Sequence, residues 1–294
     1  MYVDNYLTFL EKEEKKSENT LSAYRTDIND FLKYITERGN SDLSSVTNTD
    51  VVGYLLELKG LGKSAATINR KTASLRNFYG YMKERGYTKG PNPAKNITVP
   101  KGSAREIEYL SEEEAVRLIE SPDDSLAGRR DRAILELMYA TGMMVNEVIN
   151  AKVGDVNLKM GFMSFDGSFG KARIVPIGRP ARAAVTDYID NARNEMLKGR
   201  EDDGTLFLNY TGTGLTRQGL WKILKEYGVK AGIEKSITPH IIRDSFAVHM
   251  INHGADIKSL QELMGHEDIS ATEVYLSVRK VKIKEVYDSA HPRA

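Results

Sequence analysis

The stretch ITPHIIRDSFAVHMINHGADIKSLQELMGHEDISATEVYLSVRK, Ile237 to Lys280, decides how this chain is read. Pro239 after Thr238 marks a helix start, because a proline at the first helical position gives up no intrahelical hydrogen bond. His240 and Arg243, three residues apart, then project from one face of the first turns. Gly265-His266 ends one helix just before another, and Tyr275 follows nine residues later. Singly, these pieces are weak: a His-x-x-Arg pair is more often a surface or capping pair than a site, and an amphipathic tyrosine is more often core. A shared task changes the weighing. A guanidinium grips non-bridging phosphate oxygens through a two-pronged fork. An imidazole donates or shuttles protons, and a phenol supplies an oxygen nucleophile, so the set suits attack on a phosphodiester.

Composition bounds the rest. The 294 residues are long enough for two domains or one large one, and 40% hydrophobic with 28% charged residues are globular values. No run of about 18 apolar residues exists, so no membrane span is expected. The opening MYVDNYLTFLEKEEKK lacks a basic region followed by an apolar run, so no secretory signal is expected and a cytoplasmic location is. The absence of cysteine excludes disulfides, thiolate metal sites and cysteine nucleophiles, in keeping with a reducing interior. A net charge of +1 says little as a total, because acidic and basic stretches are segregated along the chain.

The first hundred residues read as helical. In SENTLSAYRTDINDFLKYI, residues Leu21, Tyr24, Ile28, Phe31, Leu32 and Ile35 recur at helical spacing behind the Ser17 cap signal, and Gly39 ends the run. After Gly62, Ile68, Leu75, Phe78, Tyr79 and Met82 share one arc of a second wheel, with Lys63, Arg70, Arg76, Asn77 and Lys83 around the remainder. Lys59 to Lys89 hold eight Lys or Arg against one acid, Glu84. A basic face opposite a core stripe is a footprint for a polyanion, so Lys63, Arg70, Arg76 and Lys83 are the expected DNA-binding residues. An ordinary solvated face is the alternative, though it normally carries interspersed acids.

Gly90-Pro91-Asn92-Pro93 and the following ITVPKGSAREIEYL break the periodicity and read as an interdomain linker. The expected division is residues 1–97, a linker at 98–108, and a second domain at 109–294. That domain opens with SEEEAVRLIE, a serine cap with acids in its first turn. Helical patterns cover Arg129 to Ala140, Val145 to Ala151, Ala181 to Leu197, Thr216 to Ala231, Pro239 to His253 and Ile257 to Met264, with segments near Tyr275 and Glu285. Short strands around Phe162, Ser164 and Ile174 to Ile177 flank a Gly-rich hairpin, GFMSFDGSFGKARIVPIG.

In order, spacing and flanking words, the chain closely resembles the tyrosine recombinases of the phage integrase family, specifically the Xer type. SENTLSAYRTDINDFLKYI and SAATINRKTASLRNFYGYM look like its N-terminal core-binding domain. YLSEEEAVRLIE, RRDRAILELMYATG, RIVPIG, LTRQGLWKILK, ITPHIIRDSFAVHM, HGAD, LQELMGH and KEVYDSAHPRA look like successive landmarks of its catalytic domain. The resemblance implies a mainly α protein: a helical clamp with a SAM-like fold, and a mixed, mostly helical catalytic domain with a small sheet, together enclosing duplex DNA. It implies no metal, nucleotide or other cofactor, and no GxxxxGK[ST] motif occurs. Tyr275 would attack the scissile phosphate to leave a 3′-phosphotyrosine, with Arg243, His240 and His266 binding the phosphate and assisting proton movement. Religation to a different 5′-hydroxyl would exchange strands, usually in a homo- or hetero-tetramer on two DNA sites. The C-terminal KIKEVYDSAHPRA resembles the segment that docks on a neighbouring subunit.

Four departures from the family pattern stand out. In YATGMMVNEV, Met144 takes the place of the first phosphate-binding arginine. A thioether is apolar and donates no hydrogen bond. In the hairpin, Ser168 takes the place of the lysine that acts as general acid to the departing 5′-oxygen, while Lys171 matches a later lysine that a flexible hairpin can bring across. Asp244 stands where relatives commonly have histidine, and Leu276-Ser277 where they have Thr-His. One lost oxyanion donor costs about 10²–10³ in rate and a phosphoryl-transfer arginine about 10³–10⁵, so impaired catalysis is expected. The structural alternative makes Met144 a core residue, with Arg129, Arg130, Arg132 or Lys152 supplying the charge. The functional expectations are therefore a cleaving and rejoining recombinase, or a DNA-binding paralogue working with an active partner. A type IB topoisomerase-like nicking enzyme fits the landmarks less well.

Overall fold

The computed structural model describes residues 2–40, 42–98, 106–166 and 172–278. The chain divides into two compact units, Met1–Glu106 and Ile107–Ala294. Residues 99–105 of the expected linker, the hairpin positions Ser168 and Lys171, and the C-terminal segment with Glu285 lie outside the described residues.

The first unit is built from α1 (Tyr2–Lys12), α2 (Glu18–Glu37), α3 (Asn48–Gly60) and α4 (Ala65–Glu84). Each of the last three starts where a side chain satisfies a free backbone amide. Ser17 accepts from Thr20 N–H (3.3 Å) and Ser64 from Thr67 N–H (3.2 Å). Thr47 and Asp50 cap reciprocally, with the Thr47 N–H donating to Asp50 at 2.8 Å. The apolar arc of α4 meets Ile28, Phe31 and Ile35 of α2 in one buried cluster.

Asp27 is a buried charge that periodicity does not announce. Its side chain is fully enclosed, and it accepts a hydrogen bond from Ser74 (2.8 Å) and forms ion pairs with Arg70 and with buried Lys71 (3.1 Å). Arg76 is also engaged, donating to the carbonyls of Ala94 (3.2 Å) and Ile97 (2.8 Å) and so fastening the chain that leaves α4. Lys63 and Lys83 are exposed. Of the four expected DNA-facing cations, Arg70 and Arg76 are thus engaged in bonds within the unit, although the Arg70 side chain stays 44% exposed.

The second unit contains α5 (Glu112–Glu120), α6 (Leu126–Thr141), α7 (Val145–Asn150), a small antiparallel sheet, α8 (Arg179–Tyr188), α9 (Asn194–Met196), α10 (Arg217–Lys230), α11 (Pro239–Asn252), α12 (Ile257–Met264) and α13 (Ser270–Glu273). The sheet orders β1 (Val156–Asn157), β2 (Phe162–Phe165) and β3 (Arg173–Pro176), with Met163 opposite Val175. Its first strand is two residues long, too short to register as alternation. The helix expected over Ala181 to Leu197 is interrupted by a π turn at Ile189–Arg193. That wider turn ends at Arg193, which is buried and donates to the Thr205 carbonyl (2.7 and 3.0 Å) and to Asp202. Helix α6 packs against α8 and α11, and ten of the fourteen residues of α11 are buried, which fixes it as the axis of this unit.

Replacing Asp27 by alanine leaves buried Lys71 with Asp30 (2.7 Å) as its remaining carboxylate and takes the acceptor from the buried Ser74 hydroxyl, so urea denaturation of the whole chain should show a loss of about 1–3 kcal/mol in the first unit. A loss under about 1 kcal/mol would contradict the role given to Asp27.

Candidate active site

The site grows from how α6 ends. Gly142 terminates it with φ 60°, and a Cβ there would meet the Phe246 ring at 2.5 Å, so only glycine fits both the turn and the contact. Helix α12 ends the same way at Gly265, with φ 67°. The last carbonyls of a helix have no intrahelical donor and carry the negative end of its dipole. Arg243 joins these two ends: its guanidinium donates to the carbonyl of Gly142 and to that of Met264 (2.7 Å). Its residue is 8% exposed, and burial lowers its pKa from the ordinary value, the Glu147 carboxylate opposing that effect.

Arg243 also lies 3.0 Å from His266 Nε2. A guanidinium has donors only, so Nε2 must accept, and Nδ1 carries the proton that it donates to Thr272 Oγ1 at 2.8 Å. Protonating Nε2 would set a cation against a cation. Burial first, then the charges of Arg243 and Arg173, hold the His266 pKa down at about 4. In this arrangement His266 is a neutral acceptor that orients Arg243.

Tyr275 is 5% exposed on a short 3₁₀ turn, Val274–Val278, and packs in an apolar cluster with Phe246, Val248 and Met264. Its phenol donates to Asp244 Oδ1 at 2.7 Å. Consecutive residues of α11 thus hold the two ends of the site, Arg243 on His266 and Asp244 on Tyr275. His240 lies exposed on the first turn of the same helix and makes no hydrogen bond among the described residues.

The two methionines of YATGMMVNEV part company here. Met143 is 1% exposed and belongs to the core, whereas Met144 is 44% exposed at the head of α7. The core-filling alternative for Met144 is therefore corrected. A thioether cannot cap the helix as serine would, and the cap comes instead from Glu147, whose carboxylate accepts the Met144 N–H at 2.6 Å. Glu147 in turn holds Arg173 at its two carboxylate oxygens, one at 2.9 Å. Arg173 further donates to the Leu263 carbonyl (3.0 Å) and lies over the Phe165 ring at 4.3 Å.

None of the four cations offered as substitutes is idle. Arg129 bonds Asp187 and the Asp124 carbonyl, Arg130 bonds Asp131 and the Leu208 carbonyl, and Arg132 bonds the Pro122 carbonyl. Lys152 bonds Thr205 at 3.0 Å. Sequence reasoning missed Arg173 and Glu147 as neighbours of this site. The only available signal was that Arg173 closes the GSFGKAR hairpin and Glu147 stands three residues after Met144.

Residues 108–281 match the model of the phage integrase family, and residues 3–86 that of the phage integrase N-terminal SAM-like domain. The tyrosine recombinase XerD of Oceanobacillus iheyensis is 41% identical over 293 residues, 99% of this chain and 98% of the relative. That of Listeria innocua is 40% identical over 294 residues, 99% of each chain. Among solved structures, the XerA recombinase is 26% identical with a TM-score of 0.55, covering 100% of this chain and 99% of that one. The XerH site-specific recombinase bound to a palindromic difH substrate, a post-cleavage complex, has a TM-score of 0.77 at 21% identity, covering 99% of this chain and 84% of that one. The chain belongs to the phage integrase family, the tyrosine recombinases, and within it to the Xer type. No helix among the described residues is long and apolar enough to cross a membrane.

The His266 imidazole should titrate near 4 in an NMR pH series. Its folded value lies below the unfolded 6.5, so the stability tied to neutral His266 is fully present above about 6.5 and is lost as pH falls toward 4. A titration midpoint near 6.5 would contradict the Arg243–His266 contact.

Proposed function

We propose that this chain is a site-specific DNA recombinase that cleaves and rejoins duplex DNA through a 3′-phosphotyrosine at Tyr275. The observation that carries the reading is the pairing of consecutive α11 residues, Arg243 with His266 and Asp244 with Tyr275, in a chain alike over its full length to tyrosine recombinases. A scissile phosphate docking beside Arg243 would meet the N–H groups that its internal bonds leave over. Those bonds use three of the roughly five donors a guanidinium has. His240, exposed on the first turn of α11, adds a further donor, and Lys171 is the proposed proton source for the leaving 5′-oxygen. The nucleophile becomes part of the intermediate, so bond energy is kept and no nucleotide is consumed.

Several features support DNA as the partner. The relatives are named recombinases, and one structural neighbour is a complex with its DNA substrate. Lys83 on α4 and Lys63 just before its cap carry exposed positive charge, and phosphate contacts of this kind supply affinity without reading sequence. We place the activity in the cytoplasm, as a homo- or hetero-tetramer on two sites.

A second reading is favoured by one observation. Met144 is solvent-exposed where the family carries an arginine, and the nearby cations are bound elsewhere. The chain then occupies DNA as a paralogue whose partner subunit does the cutting.

Incubating the protein with a nicked duplex, selected by binding from a random-sequence pool, should give an SDS-resistant adduct that Tyr275→Phe abolishes. Met144→Arg with Ser168→Lys should raise its rate by about 10²-fold or more. DNA binding without any adduct from the wild-type chain would select the second reading, and no adduct from the double variant would overturn the assignment of those two positions. Lys63→Ala and Lys83→Ala should each lower the slope of log affinity against log salt by about one. An unchanged slope would remove α4 from the interface.

A further inference from the structure

The aspartate after Arg243 is a departure that the phosphate-binding reading leaves without a task. Its Oδ1 accepts the phenolic hydrogen of Tyr275 at 2.7 Å, the phenol being 5% exposed and enclosed by Phe246, Val248 and Met264. Bulk water is therefore poorly placed to take that proton. A phenol must lose it as its oxygen bonds to phosphorus, and the neighbouring imidazole is committed: His266 accepts from Arg243 on one nitrogen and donates to Thr272 from the other. Asp244 is the base in contact with the reacting oxygen.

We propose that Asp244 is a catalytic residue, the general base that activates Tyr275. In cleavage the phenolic proton moves to Asp244 Oδ1, the phenol oxygen forms its bond to phosphorus, and the bond from phosphorus to the 5′-oxygen breaks. The 5′-oxygen leaves with a proton from Lys171, the acid proposed above. In religation a 5′-hydroxyl bonds to phosphorus and gives its proton back to that acid, the bond from phosphorus to the phenol oxygen breaks, and Asp244 returns its proton to the phenol oxygen. The carboxylate sits one residue from the cationic Arg243, which offsets the repulsion it would otherwise impose on an incoming phosphate. The choice of aspartate here belongs with Met144 and Ser168: a site short of positive charge on the phosphate gains from a stronger nucleophile.

The inference rests on Tyr275 being the nucleophile. Its test uses the full chain in single turnover on a nicked suicide duplex with sulfur in place of the bridging 5′-oxygen. That leaving group departs as a thiolate and needs no proton, so the hairpin positions drop out of the measurement. Asp244→Asn keeps the volume and the acceptor oxygen but cannot take the proton. Adduct formation should fall by about 10²–10⁴-fold. The residual rate should rise about tenfold per pH unit as hydroxide replaces the carboxylate. Asp244→Glu should recover part of the loss. An Asp244→Asn rate within about threefold of wild type, with an unaltered pH profile, would overturn the proposal while leaving Tyr275 as nucleophile. Absence of any adduct from both wild type and Met144→Arg would overturn the recombinase reading, and the proposal with it.

Discussion

A guanidinium cannot be buried without acceptors, and Arg243 finds them at the ends of two helices. The Gly142 and Met264 carbonyls belong to turns where α6 and α12 stop, each turn closed by a glycine in the left-handed region. Orphan carbonyls and helix dipoles thus stabilise the charge, while the charge ties together segments separated in sequence by more than a hundred residues. His266 is oriented by the same cation and Tyr275 by the next residue of α11. Without Arg243 the α6 end, the α12 end and the His266 loop lose their common partner.

The placement of Met144 separates two kinds of requirement. Folding at the head of α7 needs a cap and the Glu147–Arg173 pair, and the backbone amide of any residue at 144 supplies the first. The proposed phosphate binding calls for a donor projecting from that position, and a thioether has none. Met144 therefore leaves the local structure whole, and the effect proposed for it falls on chemistry alone. DNA affinity, spread over many weak phosphate contacts, is little affected by one such change, whereas a transition state that concentrates charge on a few oxygens depends on every donor.

Much of this was legible in the sequence. Helix α2 followed from its Ser17 cap signal and apolar spacing and α4 from its apolar arc, of which Ile68, Leu75, Phe78, Tyr79 and Met82 are all buried. The sequence also groups Arg243, His266 and Tyr275 by the chemistry they share, and the structure sets Arg243 on His266 and Tyr275 on the residue next to Arg243. Polar residues used for internal pairing were not legible, since the pattern of charges around a helix does not say which cation meets a buried acid. Arg70 on Asp27, Arg76 on the Ala94 and Ile97 carbonyls, and Arg173 on Glu147 all depend on contacts remote in sequence. The same holds for Asp244, a departure from the family pattern whose contact with the Tyr275 phenol the sequence does not show.

The proposed cleavage requires a phosphate site organised around Arg243 with the phenol in reach. A crystal structure of the protein on a nicked duplex with vanadate at the break measures this without needing turnover. The expected result is vanadium bonded to Tyr275 Oη, its equatorial oxygens accepting from Arg243, and no polar contact from Met144. Vanadate or a backbone phosphate bound away from Arg243, with Tyr275 remote from the nick, would contradict it.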